Sequence, residues 1–185
     1  MNIDSSYINE QKKQIRKTVK EHKSKFDINL SEIASNKIFG ELEKLPEFFN
    51  AKTVLAYWSL ADEVNTHTFI NNWYKTKRFL LPLVIGSELE LRVFSGIQSM
   101  SKGPSFGIME PINGDVVSIE EVDFAIIPGV AYDLRGNRLG RGKGYYDKLL
   151  SNKSIFKIGI CFAFQVFPQI PVDRFDIPVD KVIFA

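Results

Sequence analysis

The chain has 185 residues, 44% of them apolar and 25% charged, with a formal net charge of +2. That is the composition of a globular protein of one-domain size, and a balance so near neutrality argues against a general nucleic-acid binder. No apolar run approaches the ~18 residues of a membrane span, so no membrane partner is expected. The N-terminal stretch also lacks the apolar run and small-residue cleavage site of a signal peptide. Cys161 is the single cysteine, which excludes an intrachain disulfide and reads as a buried thiol in a cytoplasmic protein. The two histidines, His22 and His67, lie far apart and offer no Cys/His zinc spacing.

Ile8, Ile15, Val19 and Phe26 fall on one helical face and predict a helix over about 5–25. Its other faces are basic, with seven Lys or Arg and one Glu between Lys12 and Lys25. Such charges ordinarily face water. A second helix is read from Leu30, Ile33, Ala34, Ile38, Leu42 and Leu45, opened by an Asn29/Glu32 capping box and stopped by Pro46. TVLAYW (53–58) then reads as a buried strand, Thr66–Tyr74 as a short helix, RFLLPLV (78–84) as a strand, and LELRVF (89–94) as a half-exposed one. The glycines and prolines between Gly96 and Gly114 mark a long loop. VDFAIIPG (122–129) and FKIGICF (156–162) are buried strands around a helix at Tyr145–Leu150, and KVIF (181–184) closes the chain. Strands alternating with helices predict one α/β domain over 1–185: three layers, α/β/α, with a mainly parallel, Rossmann-like sheet and residues 1–45 packed on it as a helical segment.

The segment RLGRGKGYYD (Arg138–Asp147) gathers three cations, three glycines, two tyrosines and a carboxylate. It follows a predicted strand and precedes a helix, where parallel sheets bind ligands. Two readings stand. The glycines fold Arg138, Arg141 and Lys143 inward around an anion such as phosphate, aided by the N-terminus of the next helix, or the segment is an exposed basic turn. It is neither a Walker A loop, since Gly144 follows Lys143, nor a dinucleotide fingerprint, since Tyr145 replaces the third glycine. Tyr145 and Tyr146 serve a flat ligand or helix packing. Asp147 caps the helix or ligates a cation such as Mg²⁺.

GNRLGRGKGYYDKLL resembles the signature of the 5-formyltetrahydrofolate cyclo-ligase (5,10-methenyltetrahydrofolate synthetase) family. KKQIR at Lys12 and Arg16, YWSLADEVNT with Glu63 and Thr66, GIMEP at Gly107–Pro111, PGVAYD at Pro128–Asp133, and FDIPVDKVIF with Asp176 match it in order. The resemblance implies ATP- and Mg²⁺-dependent closure of 5-formyltetrahydrofolate, polyglutamylated or not, by a monomer. It implies that Lys12, Arg16, Arg138, Gly140, Arg141, Gly142, Lys143, Gly144 and Tyr145 surround ATP. Asp147 and Asp176 would ligate Mg²⁺. Trp58, Glu63, Phe106, Glu110 and Tyr146 would contact the folate, and Lys143, Arg141 and Tyr146 would act in catalysis. Phosphoryl transfer needs positioning and charge neutralisation, so the lack of an obvious Ser/His/Asp apparatus is consistent.

Overall fold

The architecture follows from short apolar strands that must be covered on both faces. It is seen in a computed structural model that describes residues 5–103 and 109–185. Phe106 and the first two residues of GIMEP lie outside the described residues. The helices and strands, in chain order, are α1 (Ser5–Lys23), α2 (Ile28–Leu42), α3 (Pro46–Asn50), β1 (Thr53–Leu55), α4 (His67–Trp73), β2 (Arg78–Ile85), β3 (Glu88–Val93), β4 (Ser101–Lys102), β5 (Met109–Glu110), β6 (Val116–Val117), β7 (Phe124–Ile127), β8 (Ala131–Tyr132), β9 (Arg138–Leu139), α5 (Tyr145–Leu150), β10 (Phe156–Cys161) and β11 (Lys181–Phe184).

The main sheet runs β11-β10-β7-β1-β2-β3-β6. The run from β11 to β2 is parallel, and β3 and β6 add an antiparallel edge. Successive strand residues point to opposite faces. Val54, Phe79, Leu81, Phe124, Ile126, Ile158 and Ile160 accordingly join Ile38, Leu42, Phe48 and Phe69 of α2, α3 and α4 in one core. Leu55, Leu80, Ala125, Ile127 and Cys161 meet Tyr132 and Leu150 of α5 in the other. Each fully buried Phe contributes about 2 kcal/mol by the area it removes from water. Burial also pushes the Cys161 thiol up to about 12, so it stays protonated. α1 docks through Val19 and Ile15 on Ala131, Leu139 and Ile170.

Four local readings need correction. The cap of α2 is Asp27, whose carboxylate accepts from the Asn29 and Leu30 N–H groups, and not an Asn29/Glu32 box. Pro46 does not stop α2, which has already ended at Leu42; it opens α3 at a position where its missing N–H costs nothing. Leu30 and Ile33 also stay exposed, because the core takes only the Ile38 side of the apolar repeat. Within the supposed loop between Gly96 and Gly114, β4 and β5 form a small antiparallel pair.

Asp133 pins the far side. Fully buried, it accepts from the Arg135 and Asn137 N–H groups, the Asn137 amide and the Ile170 N–H. Burial raises its carboxyl, but these donors together outweigh that and hold it below its ordinary value. The ring of Tyr132 lies against β10, where a Cβ built on Gly159 would come within 2.3 Å of it. Gly159→Ala is expected to destabilise by about 1–3 kcal/mol through overpacking. Equilibrium urea unfolding should show a lower midpoint at unchanged slope.

Candidate active site

β1 and β7 are neighbours, yet the chain leaves them in opposite directions, toward β2 on one side and β10 on the other. Their carboxyl ends therefore define the switch point at which such sheets bind ligands. Tyr57 and Trp58 follow β1 there, and Pro128 and Gly129 follow β7. A cavity of about 1180 Å³ opens over this point. That exceeds the roughly 300–1,000 Å³ of an ordinary single-ligand pocket.

Every site residue singled out from the sequence, Phe106 excepted, lines this one cavity: Lys12, Arg16, Trp58, Glu63, Glu110, Arg138, Gly140 to Asp147, and Asp176. The basic segment is not a uniform turn. Arg138 and Leu139 are buried strand residues paired with β8, because the segment folds back as a hairpin. The Arg138 guanidinium donates to Asp147 Oδ1 at 2.6 Å and to the Pro128 carbonyl at 3.2 Å. Asp147 Oδ1 also accepts from the Ile177 N–H at 3.1 Å. One ion pair thus clamps both ends of the loop Gly140–Gly144. Within it Gly142 and Gly144 have φ of +97° and +68°, conformations that a side chain would strain. α5 begins at the loop's end but has only six residues, so the expected helix-dipole contribution is small. The Lys143 side chain is exposed and has no hydrogen-bond or ion-pair partner among the described residues.

The amino-terminal helix contributes the opposite wall. Lys12 shares a face with Ile8, Ile15 and Val19 and is 6% exposed, rather than solvated. Its ammonium pairs with Asp176 Oδ2 at 2.5 Å and Asp173 Oδ2 at 2.9 Å. Burial alone would lower the Lys12 pKa, but the hydrogen bonds to Asp176 and Asp173 raise it on balance, so it stays charged. Arg16 donates through Nε to the Gly140 carbonyl at 3.0 Å, tying α1 to the loop.

A locked turn carries Glu63. Thr66 Oγ1 donates to the Tyr57 carbonyl and accepts from the Ser59 N–H, while Ser59 Oγ accepts from the Thr66 N–H. Glu63 accepts the Leu60 N–H on Oε2 at 3.0 Å and the Arg141 guanidinium on Oε1 at 2.7 Å. Trp58 stacks on His67 with ring centroids 4.0 Å apart, and the His67 Nε2–H donates to the Ser59 carbonyl. Burial pushes the Tyr146 phenol above its ordinary range, with Arg138 opposing and the Glu63 charge adding to it.

Among the described residues, the buried side-chain atoms without a partner are Glu110 Oε2 and Arg138 Nε, and both residues line this cavity. Unmade hydrogen bonds of buried groups are costly. Together they present one unpaired acceptor and one unpaired donor among the described residues. No cluster of three or more Asp, Glu, His or Cys suited to a metal exists among the described residues. Asp147 and Asp176 each keep one oxygen without a partner among those residues. That set fits a Mg²⁺ ion, which takes one or two carboxylates and completes its shell with waters and phosphate oxygens.

Sequence reasoning missed Tyr57, Arg174 and Phe175 in the cavity wall. Tyr57 was legible as the residue just beyond a switch-point strand. Phe175, two-thirds exposed beside Arg174, had no pattern to betray it.

A mainly parallel sheet with a cation-walled cavity over its switch point is the architecture of a Rossmann-like α/β protein. The model of the 5-formyltetrahydrofolate cyclo-ligase family matches residues 8–185. A probable 5-formyltetrahydrofolate cyclo-ligase of Schizosaccharomyces pombe is 33% identical over 93% of this chain and 94% of its own. The mouse 5-formyltetrahydrofolate cyclo-ligase is 31% identical over 75% of each chain. The solution structure of Aquifex aeolicus 5,10-methenyltetrahydrofolate synthetase superposes with a TM-score of 0.85 at 39% identity, covering 94% of this chain and 89% of that one. The chain belongs to the 5-formyltetrahydrofolate cyclo-ligase family, and is thus an enzyme of the ligase class.

The Lys12 hydrogen bond, followed by that of the Phe175 N–H, holds the Asp173 carboxyl below its ordinary value. A depressed carboxyl contributes stability that is fully present above its unfolded value, about 3.9, and is lost as pH falls through the folded one. Asp173→Asn should therefore melt below the parent protein at neutral pH. The gap should close in thermal scans taken below about pH 4.

Proposed function

We propose that this enzyme closes 5-formyltetrahydrofolate to 5,10-methenyltetrahydrofolate, with ATP converted to ADP and phosphate. The observation that carries the reading is the single cavity in which the glycine-rich cation loop faces Trp58, Glu63 and Tyr146. The formyl oxygen attacks the γ-phosphorus and ADP leaves, giving an imidoyl phosphate. The neighbouring folate amine then attacks the formyl carbon, phosphate departs with the former formyl oxygen, and the amine's proton leaves with the phosphate. Lys12, Arg16, Arg138 and the loop from Gly140 to Tyr145 bind ATP. Arg141 and Lys143 neutralise charge that develops on the transferred group, which is the main requirement of phosphoryl transfer. Glu63 accepts from the amino edge of the pterin. Trp58 and Tyr146 wall its ring, and Glu110 supplies a further acceptor. Asp147 and Asp176 hold Mg²⁺, which shields the phosphate charge when bound. The chain acts as a cytoplasmic monomer of one domain, on free or polyglutamylated folate and with neither nucleic acid nor membrane as partner.

The protein mixed with 5-formyltetrahydrofolate should form the absorbing methenyl product only when Mg·ATP is present. Lys143→Ala, which removes an exposed and unpaired cation, should lower kcat about 100-fold without changing the melting temperature. Product formed without ATP, or a fully active Lys143→Ala enzyme, would refute the assignment.

A further inference from the structure

The bond between Glu63 and Arg141 joins two residues to which the proposed function gives different ligands. Glu63 sits on the turn after β1 and is held by the Leu60 N–H; Arg141 sits on the glycine-rich loop, 78 positions along the chain. Their side chains meet at 2.7 Å, with Glu63 15% and Arg141 58% exposed. Glu63 is therefore a largely desolvated anion held by the backbone, and Arg141 is the exposed partner, on a loop whose Gly142 and Gly144 occupy the left-handed region. Arg141 cannot keep this geometry and also turn its fork to a phosphate chain. The guanidinium also takes one of the acceptor positions on Glu63 Oε1, so it competes there with the donors of a pterin edge.

We infer that the Glu63–Arg141 pair is a latch that couples the two ligands, each binding more tightly once the other has displaced it. The inference rests on the proposed function, since it needs a nucleotide at the loop and a folate at the turn. A folate on Glu63 releases Arg141 toward the phosphates. A nucleotide that draws Arg141 away frees Glu63 for the pterin. Linkage makes the two gains equal. The pair is exposed on its Arg141 side, so the gain is at the upper end for a surface ion pair, about fivefold in affinity.

A distinctive consequence concerns Glu63, which touches only the folate in a simple two-site scheme. Removing its charge should strengthen nucleotide binding. Calorimetric titration of the full chain with Mg²⁺ and the β,γ-imido analogue of ATP reads this directly, with and without saturating 5-formyltetrahydrofolate. The parent protein should bind the analogue about fivefold more tightly when folate is present. Glu63→Gln and Glu63→Ala should bind it about fivefold more tightly in the absence of folate, and folate should add nothing further. Circular dichroism confirms that the variants are folded, and the two substitutions guard against an effect peculiar to one of them. Analogue binding that neither substitution strengthens overturns the latch and leaves the proposed function standing. No analogue binding to the parent protein overturns both.

Discussion

The site depends first on one buried cation. Arg138 carries a guanidinium, and it lies in the cavity wall with 5% of its surface exposed. A guanidinium placed there requires an anion, and Asp147 supplies one at 2.6 Å. Removing one partner of a buried pair leaves an uncompensated charge at about 3–5 kcal/mol. The pair also does geometric work. Arg138 precedes the loop Gly140–Gly144 and Asp147 follows it, so their contact closes the loop at its neck. Through the Pro128 carbonyl and the Ile177 N–H, the same pair fastens the loop to the end of β7 and to the C-terminal segment. The loop is thus fixed at its neck and tied at Gly140 and Arg141 to Arg16 and Glu63, while Lys143 has no partner among the described residues.

Around this clamp, charges are arranged in exchangeable pairs. Lys12 sits between Asp173 and Asp176, and Arg141 leans on Glu63. Such pairing keeps a dense group of cations compatible with folding, since like charges a few ångströms apart repel by several kcal/mol at low effective dielectric. On the proposed function, each cation would then pass from its carboxylate to phosphate oxygens. α1 belongs to the site for this reason: Lys12 and Arg16 reach the loop and the C-terminal segment from a helix remote in sequence.

The fold class was legible because short apolar strands alternate with helices, and the sheet is mainly parallel with an antiparallel edge. Long elements such as α1 and β2 were located to within two residues, since their patterns repeat over several turns or pleats. Caps were read less well. Asp27, Asn29 and Glu32 are all polar groups near one helix start, and only coordinates show which carboxylate faces the free N–H groups. The residues that gather around the cavity were picked out by motif resemblance, whereas their states were not. Arg138 and Lys143 look alike in a basic segment, yet one is a buried strand residue and the other an exposed loop tip. Lys12 carried a usable signal, because it lies in helical register with Ile8, Ile15 and Val19, so its burial followed from periodicity. Its pairing with Asp173 and Asp176, more than 160 positions away, had none.

The central claim is that one cavity at the β1/β7 switch point receives both ligands. The most direct test is a crystal structure of the protein with Mg²⁺, the β,γ-imido analogue of ATP and 5-formyltetrahydrofolate bound together. The triphosphate should lie along the loop between Arg138 and Tyr145, with the pterin beside Trp58, Glu63 and Tyr146 and the formyl oxygen facing the γ-phosphate. A nucleotide bound elsewhere, or a folate held out of reach of the γ-phosphate with the loop empty, would contradict it.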